Sequence, residues 1–136
     1  MSISVLLVTH ANMGKSLLNE LKNTFDKLPL TFFAANIKQQ DKPEVLIAQL
    51  NKKIKQIDKG DGILILTDLY GSTPSNIAYA LKKRCKNNIH IISGVNLPML
   101  VTIVNYADLS LKKIATKVVR GGKKGIIDDQ HLPCEQ

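Results

Sequence analysis

The sequence has 136 residues, enough for one domain with a packed core and too few for two. Its hydrophobic fraction is 44%, and no apolar run approaches the roughly 18 residues of a membrane-spanning helix. The formal net charge is +8, but aromatic residues make up only 4% of the chain, so no stacking platform for nucleic acid is indicated. We interpret the lysines as a solvated surface and expect no nucleic-acid partner; docking of an acidic protein face and weak polyanion binding are the alternatives.

The N-terminus and the cysteines indicate the compartment. No basic residue precedes the short apolar run that begins at Ile3, which argues against a secretory signal peptide. The two cysteines, Cys85 and Cys134, do not form a CxxC pair, so their spacing indicates neither a disulfide framework nor a zinc site. These features predict a protein of the reducing cytoplasm.

Strand-like runs alternate with helical runs along the chain. Short β-branched apolar runs predict the strands, and apolar residues three and four positions apart predict the helices. In chain order, the prediction is a strand at 4–9, a helix at 17–28, a strand at 30–35, a helix from 41 or 42 to about 60, a strand at 62–68, a helix at 74–83, a strand at 90–93, a helix at 97–106, and a last helix or edge strand at 109–118.

This alternation predicts an α/β fold, with a mainly parallel sheet covered by helices on both faces. The domain is expected to span residues 1–127, because the chain turns polar after Gly121-Gly122, and residues 128–136 are predicted to form a flexible polar tail. In such folds ligands bind beyond the carboxyl ends of the strands. The loops at 9–14, 68–75 and 94–98 are therefore the places to look for chemistry.

Two of these loops carry a histidine and a carboxylate. His10 directly follows the first predicted strand, and Asp68 ends the third. Imidazole is a nucleophile near neutral pH and can form a labile phosphoramidate. A carboxylate bonded to one ring nitrogen fixes the tautomer and leaves the other nitrogen free to attack. Taken alone, His10 is more simply an ordinary loop histidine, and Asp68 could be a helix or turn cap. Because the two are expected at the same edge of the sheet, the pair is a candidate site.

The run Gly71-Ser72-Thr73-Pro74-Ser75-Asn76 follows Asp68 directly. Gly71 permits a tight turn, Thr73 suits the N-cap of a helix and Pro74 its first position. The amides at such a helix start bind anions such as phosphate, and Ser72 and Thr73 add hydroxyl donors. We therefore expect Gly71, Ser72 and Thr73 to bind a phosphoryl group; a simple capping turn is the alternative.

Two other classes are disfavoured. Gly14-Lys15-Ser16 imitates the end of a P-loop, but a P-loop needs glycine where Thr9 stands. A receiver domain needs an acidic pair after its first strand to bind magnesium, and this position holds Thr9-His10-Ala11. The remaining hypothesis, phosphoryl transfer through His10, requires no metal and no other cofactor.

Three segments carry a family resemblance: the strand ending in Thr9-His10, residues 68–76, and the run Gly94-Val95-Asn96-Leu97-Pro98-Met99-Leu100. Together they resemble the IIA component of the mannose/fructose/sorbose family of the bacterial phosphoenolpyruvate-dependent sugar phosphotransferase system (PTS). The likeness extends as a pattern over residues 2–127. The family often has glycine where this chain has Ala11, and two glycines where it has Gly71-Ser72.

The resemblance implies a phosphotransferase. By this resemblance, His10 accepts a phosphoryl group from the histidine phosphocarrier protein HPr and donates it to a histidine of a IIB protein. The resemblance also implies that Asp68 pairs with the imidazole and that Thr73 lies near the phosphoryl group. It also implies a homodimer built by an exchanged C-terminal edge strand, with residues 118–127 as the candidate. No IIB-like segment follows in the chain, so we expect a separate IIB protein as acceptor and peripheral contact with a membrane permease complex.

One alternative function stays open. In a regulatory module, the phosphorylation state of His10 would control binding to another protein without sugar transport. Both functions use the same site, so the residues alone do not separate them.

Overall fold

The structure is a computed structural model, and it describes residues 2–132. These residues form four strands, five α-helices and one short 3₁₀ helix. The strands are β1 (Ser4–His10), β2 (Phe32–Ile37), β3 (Ile63–Thr67) and β4 (Ile89–Ser93). The helices are α1 (Met13–Thr24), α2 (Pro43–Ile57), α3 (Thr73–Arg84), α4 (Leu97–Asn105) and α5 (Leu111–Lys124), followed by the 3₁₀ turn Asp129–His131.

The four strands form one parallel sheet in the order β2-β1-β3-β4. β1 and β3 are the central strands, and in their register Val8 lies opposite Thr67. The predicted α/β fold with a parallel sheet is confirmed. β2 begins two residues later than predicted, because Leu30 and Thr31 belong to the loop that precedes the strand.

Alternate residues of each central strand face opposite layers of helices. In β1, Val5 and Leu7 pack in the core that α1, α4 and α5 cover, whereas Leu6 and Val8 pack in the core under α2 and α3. Both faces of the sheet are therefore shielded from water by helices. This explains why the strand sequences are continuous apolar runs and do not alternate with polar residues. Helices cover the sheet on both faces, as predicted.

The C-terminal part of the chain differs from the prediction. Residues 118–127 were expected to form an exchanged edge strand, but α5 continues through Val118 to Lys124, and no described residue after β4 joins the sheet. The reason lies in Gly121 and Gly122, whose small size lets α5 approach α4. A Cβ at Gly122 would stand only 2.7 Å from Cε of Met99. The glycine pair is thus a packing contact inside the helix and not its end.

The predicted tail, residues 128–136, begins with a local turn. Asp128 caps it, since its Oδ1 accepts a hydrogen bond from the Gln130 amide at 3.0 Å. Residues 133–136, and with them Cys134, lie outside the described residues. Within residues 2–132, no helix combines the length and apolar character needed to cross a bilayer.

Candidate active site

The carboxyl ends of β1 and β3 bring His10 and Asp68 together. His10 is the last residue of β1, and Asp68 directly follows β3. Because the two strands are parallel neighbours with Val8 opposite Thr67, the residues that follow both strands emerge at the same edge of the sheet. The sequence-based prediction that these two side chains meet is confirmed by their contact.

Asp68 holds His10 at two points. Its Oδ2 lies 2.7 Å from the ring Nδ1 and accepts a hydrogen bond from the His10 backbone amide at 2.9 Å. Its Oδ1 accepts a hydrogen bond from the Leu69 amide at 3.0 Å. The side chain of Asp68 is only 5% exposed, whereas that of His10 is 47% exposed. The carboxylate is thus buried behind a half-exposed imidazole.

These contacts determine the charge of Asp68 and the tautomer of His10. Burial opposes ionisation, but the hydrogen bonds from the His10 amide and ring outweigh it and hold the pKa of Asp68 below its usual value. An ionised carboxylate only accepts hydrogen bonds, so Nδ1 of His10 carries the shared proton. In the neutral ring, Nε2 therefore bears the free lone pair and is the nitrogen able to act as a nucleophile.

The loop after β1 fixes the position of His10. Thr9 is fully buried, and its Oγ1 accepts a hydrogen bond from the Gly14 amide at 2.8 Å, tying the end of β1 to the start of α1. Ala11 donates its amide to the Ile37 carbonyl at 2.8 Å. Ala11 has φ +46°, the left-handed region that favours glycine, and within residues 2–132 no other non-glycine residue has a positive φ.

The start of α3 lies across from His10 with its first turn uncapped by any side chain. Ser72 is the N-cap and Thr73 the first helical residue, so the cap lies one residue earlier than predicted. Ser72 donates its hydroxyl to the Leu69 carbonyl at 2.6 Å, and Gly71 adopts φ +86°. Because the Ser72 side chain is used in the turn, it does not cap the amides at the start of α3, and uncapped helix starts are general anion-binding elements.

A cleft of about 240 Å³ opens beside His10. Thr73 and Pro74 line one side, and residues of the β2–α2 loop line the other. The residues that line this other side, which the sequence interpretation did not single out, are Ile37 at the end of β2 and the loop residues Lys38, Gln39 and Asp41. They come next to His10 because β2 pairs with β1, with Ile37 opposite His10. A strand-order prediction that placed the second strand beside the first could have found them.

Not every predicted residue reaches this cleft. His10 and Thr73 line it and Asp68 lies directly behind His10, but Gly71 and Ser72 shape the adjoining turn without lining the cavity. The loop at 94–98, the third place where the sequence predicted chemistry, does not line this cleft, although its Val95 amide donates to the Thr67 carbonyl at 2.9 Å. Within this loop, Asn96 accepts a hydrogen bond from the Met99 amide and donates to the Gly122 carbonyl. No three His, Cys, Asp or Glu side chains of residues 2–132 come together as metal ligands would.

Several exposed apolar side chains lie close in sequence to His10 and Asp68. Leu69 is 62% and Tyr70 73% exposed, and the Tyr70 ring meets that of Tyr79 edge to face at 6.1 Å. Met13, at the start of α1, is also exposed. Single exposed apolar residues are common, whereas a contiguous exposed apolar patch is typical of a protein-binding surface; of these side chains, Tyr70 and Tyr79 are in contact.

Comparisons with known proteins agree with this fold. A family model described as "PTS system fructose IIA component" matches residues 4–119. The mannose-specific EIIAB component of the PTS from Escherichia coli K12 is 30% identical over 95 residues. That match covers 68% of this chain but only 29% of the relative, so the chain spans less than a third of the curated relatives it matches.

Two solved structures share the fold over nearly the whole chain. The EIIA component from Streptococcus agalactiae superposes with a TM-score of 0.84 at 25% identity, covering 96% of this chain and 99% of that one. The mannose/sorbose-specific IIA subunit from Enterococcus faecalis has a TM-score of 0.83 over all of both chains, and at 20% identity it shows the fold alone. With the family model matching most of its length, the chain belongs to the family of phosphotransferase-system IIA components, whose role is in sugar phosphotransfer.

Proposed function

We propose that the protein accepts a phosphoryl group on Nε2 of His10 from phospho-HPr and passes it to a IIB protein. The observation that carries this proposal is the His10–Asp68 pair, joined at 2.7 Å at the mouth of a cleft that ends on the first turn of α3. The site combines a nucleophile, a group that orients it, and an anion-binding element, as phosphoryl transfer requires.

The transfer step follows from the tautomer. The lone pair of Nε2 attacks phosphorus in line with the donor's phosphohistidine; the new P–Nε2 bond forms as the donor's P–N bond breaks, and its electron pair returns to the donor imidazole. The proton on Nδ1 stays in the bond to Asp68, so His10 becomes cationic beside a carboxylate that stabilises it. Donation to the IIB histidine is the same step in reverse, and neither direction needs a metal or other cofactor.

The first turn of α3 is the proposed cradle for the phosphoryl oxygens. The amides of Thr73 and Ser75 have no intrahelical partner at a helix start, and Pro74 between them has no N–H. Thr73 adds its hydroxyl from the wall of the cleft. Gly71 allows the turn, and Ser72 holds it through the Leu69 carbonyl, which is a shaping role in place of the direct donor role expected from the sequence.

The partners are proteins, and the surface around the site suits them. Leu69 and Tyr70 flank Asp68 in the chain and are exposed, so a partner that carries its own phosphohistidine can cover them while reaching His10. Burial of such side chains supplies binding energy on the order of 1.5–3 kcal/mol each. We place this exchange in the cytoplasm, with the IIB protein bringing the chain into peripheral contact with a membrane permease complex.

A homodimer is also part of the proposal, with the segment after α5 as the contact. Ile126 is 77% and Ile127 62% exposed, and Asp128 follows them. A cavity of about 440 Å³ between β4 and α5 is lined by apolar and cationic side chains that suit such a segment from a second copy, among them Val119, Arg120 and Lys123. Analytical ultracentrifugation of wild type and of an Ile126→Asp, Ile127→Asp double variant tests this, and a monomeric wild type would contradict it.

The central experiment is phosphorylation in vitro. The protein is incubated with labelled phosphoenolpyruvate, enzyme I and HPr, and we expect an acid-labile label that His10→Ala abolishes. His131→Ala is the matched control, since His131 also contacts an aspartate, Asp128 at 3.1 Å, but lies outside the cleft. An unlabelled wild type, or undiminished label on His10→Ala, would refute the proposal. Label that forms normally but never passes to a IIB protein would favour the regulatory alternative.

A further inference from the structure

We infer that Lys38 binds the phosphoryl group while it is on His10 and during its transfer, an inference that rests on the proposed function. Lys38 lines the same 240 Å³ cleft as His10 and Thr73. Lys38 lies on the loop that follows β2, and α3 follows β3. Because β1 lies between β2 and β3 in the sheet, this loop and the start of α3 flank the end of β1 from opposite sides. A phosphoryl group on His10 would therefore lie between helix amides on one side and an ammonium group on the other.

The charges around the cleft explain why a cation is needed there. Asp68 lies behind the imidazole, and Asp41 contributes a second carboxylate to the lining. A phosphoryl group brings further negative charge into this space, and like charges at short range repel strongly where water is partly excluded. Apart from His10 itself, Lys38 is the one basic side chain among the described residues that line the cleft.

The backbone around Lys38 is held in place. Its amide donates to Oδ2 of Asp41 at 2.8 Å, and the Asp41 amide donates to the Lys38 carbonyl at 3.1 Å, which closes a turn over residues 38–41. Ile37, the preceding residue, pairs with His10 in the sheet and accepts the Ala11 amide. Lys38 is thus anchored one residue beyond the strand position opposite His10, and only its flexible side chain has to move to reach the phosphoryl oxygens.

The proposed role is electrostatic. Lys38 stays protonated, forms no covalent bond, and donates N–H groups to the oxygens of the transferring group, as lysines at other phosphate sites do. The bonds made and broken at phosphorus are those of the transfer step described above. Asp41 has the opposite effect on the phosphoryl group, so the two residues of the turn set the affinity of the cleft for it.

Three substitutions test this role. Lys38→Ala is expected to slow phosphoryl transfer from phospho-HPr about 10- to 100-fold at low salt. This is less than the roughly 100- to 1000-fold cost of removing one preorganised donor, because the flexible Lys38 side chain has to move to reach the phosphoryl oxygens. It should also shift the transfer equilibrium away from phosphorylated His10. Lys38→Arg should recover part of the transfer rate and part of the equilibrium shift that Lys38→Ala loses. Asp41→Asn keeps an oxygen to accept the Lys38 amide but loses its charge, and it should shift the equilibrium towards phosphorylated His10.

Lys42→Ala is the matched control, because Lys42 is an exposed lysine of the same loop that does not line the cleft. Rates are measured by rapid quench with labelled phospho-HPr, equilibria from the label shared between the two proteins, and folding by thermal melting. If Lys38→Ala matches Lys42→Ala in rate and equilibrium while wild type is labelled, the inference is overturned and the proposed function stands. An unlabelled wild type would instead overturn the proposed function, and this inference with it.

Discussion

Asp68 and His10 are joined through a single carboxylate oxygen: Oδ2 contacts the ring Nδ1 at 2.7 Å and also accepts the His10 backbone amide at 2.9 Å. The first contact sets the tautomer of the imidazole, and the second fixes the main chain that carries it. A buried carboxylate that holds both leaves the ring little freedom to rotate. The orientation of Nε2 therefore depends on Asp68 more than on any other side chain described here.

Asp68→Asn should reduce the rate of phosphoryl transfer by about 100-fold or more, because a neutral amide stabilises the cationic ring poorly and no longer enforces the tautomer. Rapid-quench transfer from phospho-HPr measures this. Asp128→Asn, at the second histidine–aspartate contact, is the control and should leave the rate unchanged. Equal rates for wild type and Asp68→Asn would show that the carboxylate has no part in the step.

The same carboxylate should make stability depend on pH. The pKa of Asp68 is lower in the folded chain than its usual value of 3.8, so as pH falls the unfolded state takes up the proton first. The stabilisation is fully present well above that value and is lost as pH falls through the folded-state pKa. Urea unfolding of wild type and Asp68→Asn at several pH values measures this stabilisation. The difference in free energy of unfolding between the two proteins should shrink as pH is lowered from 6 towards about 3. A difference that does not change with pH would contradict the ionised state of Asp68.

Ala11→Gly should stabilise the fold slightly, on the order of 0.5 kcal/mol, because glycine adopts the left-handed conformation at φ +46° without the strain that Ala11 carries. The opposite sign is expected for Ala48→Gly on the exposed face of α2, which should cost about 1 kcal/mol. Urea unfolding of both variants measures the free energies. A loss of stability in Ala11→Gly as large as that in Ala48→Gly would contradict the assigned backbone strain.

Gly122→Ala should destabilise the protein by about 1–3 kcal/mol, because the new Cβ would lie 2.7 to 2.8 Å from the Met99 side chain and push α5 away from α4. Lys112→Ala on the exposed face of α5 is the control, and its effect should stay within about 0.5 kcal/mol. Thermal or urea unfolding distinguishes the two. A stable Gly122→Ala variant would mean that the two helices do not pack this closely.

The sequence predicts the sheet and the central pair well, for identifiable reasons. Strands buried on both faces produce apolar runs such as Ile63–Thr67, and the parallel arrangement places the residues after neighbouring strands side by side, which is why His10 and Asp68 could be paired. The start of α3 was predicted within one residue, since Pro74 marks a first turn but does not say whether Ser72 or Thr73 is the cap.

What the sequence did not reveal depends on contacts between distant parts of the chain. Lys38 lines the cleft only because β2 lies beside β1 in the sheet, and no local sequence pattern indicates the order of the strands. The last element was predicted to end at residue 118, whereas α5 continues through Gly121 and Gly122, where the absence of a Cβ permits the close approach of α4. In both cases the local signal was ambiguous and tertiary packing decided the outcome.

The most direct test of the account is to identify the phosphorylated nitrogen. Native protein phosphorylated through enzyme I and HPr is examined by ³¹P and ¹⁵N NMR with ¹⁵N-labelled histidine. Comparison of wild type with His90→Ala and His131→Ala assigns the signal among the three histidines. Because Nδ1 is held by Asp68 at 2.7 Å, the account predicts a phosphoryl group on Nε2 of His10. A phosphoryl group on Nδ1 of His10, or on any other residue, would contradict it.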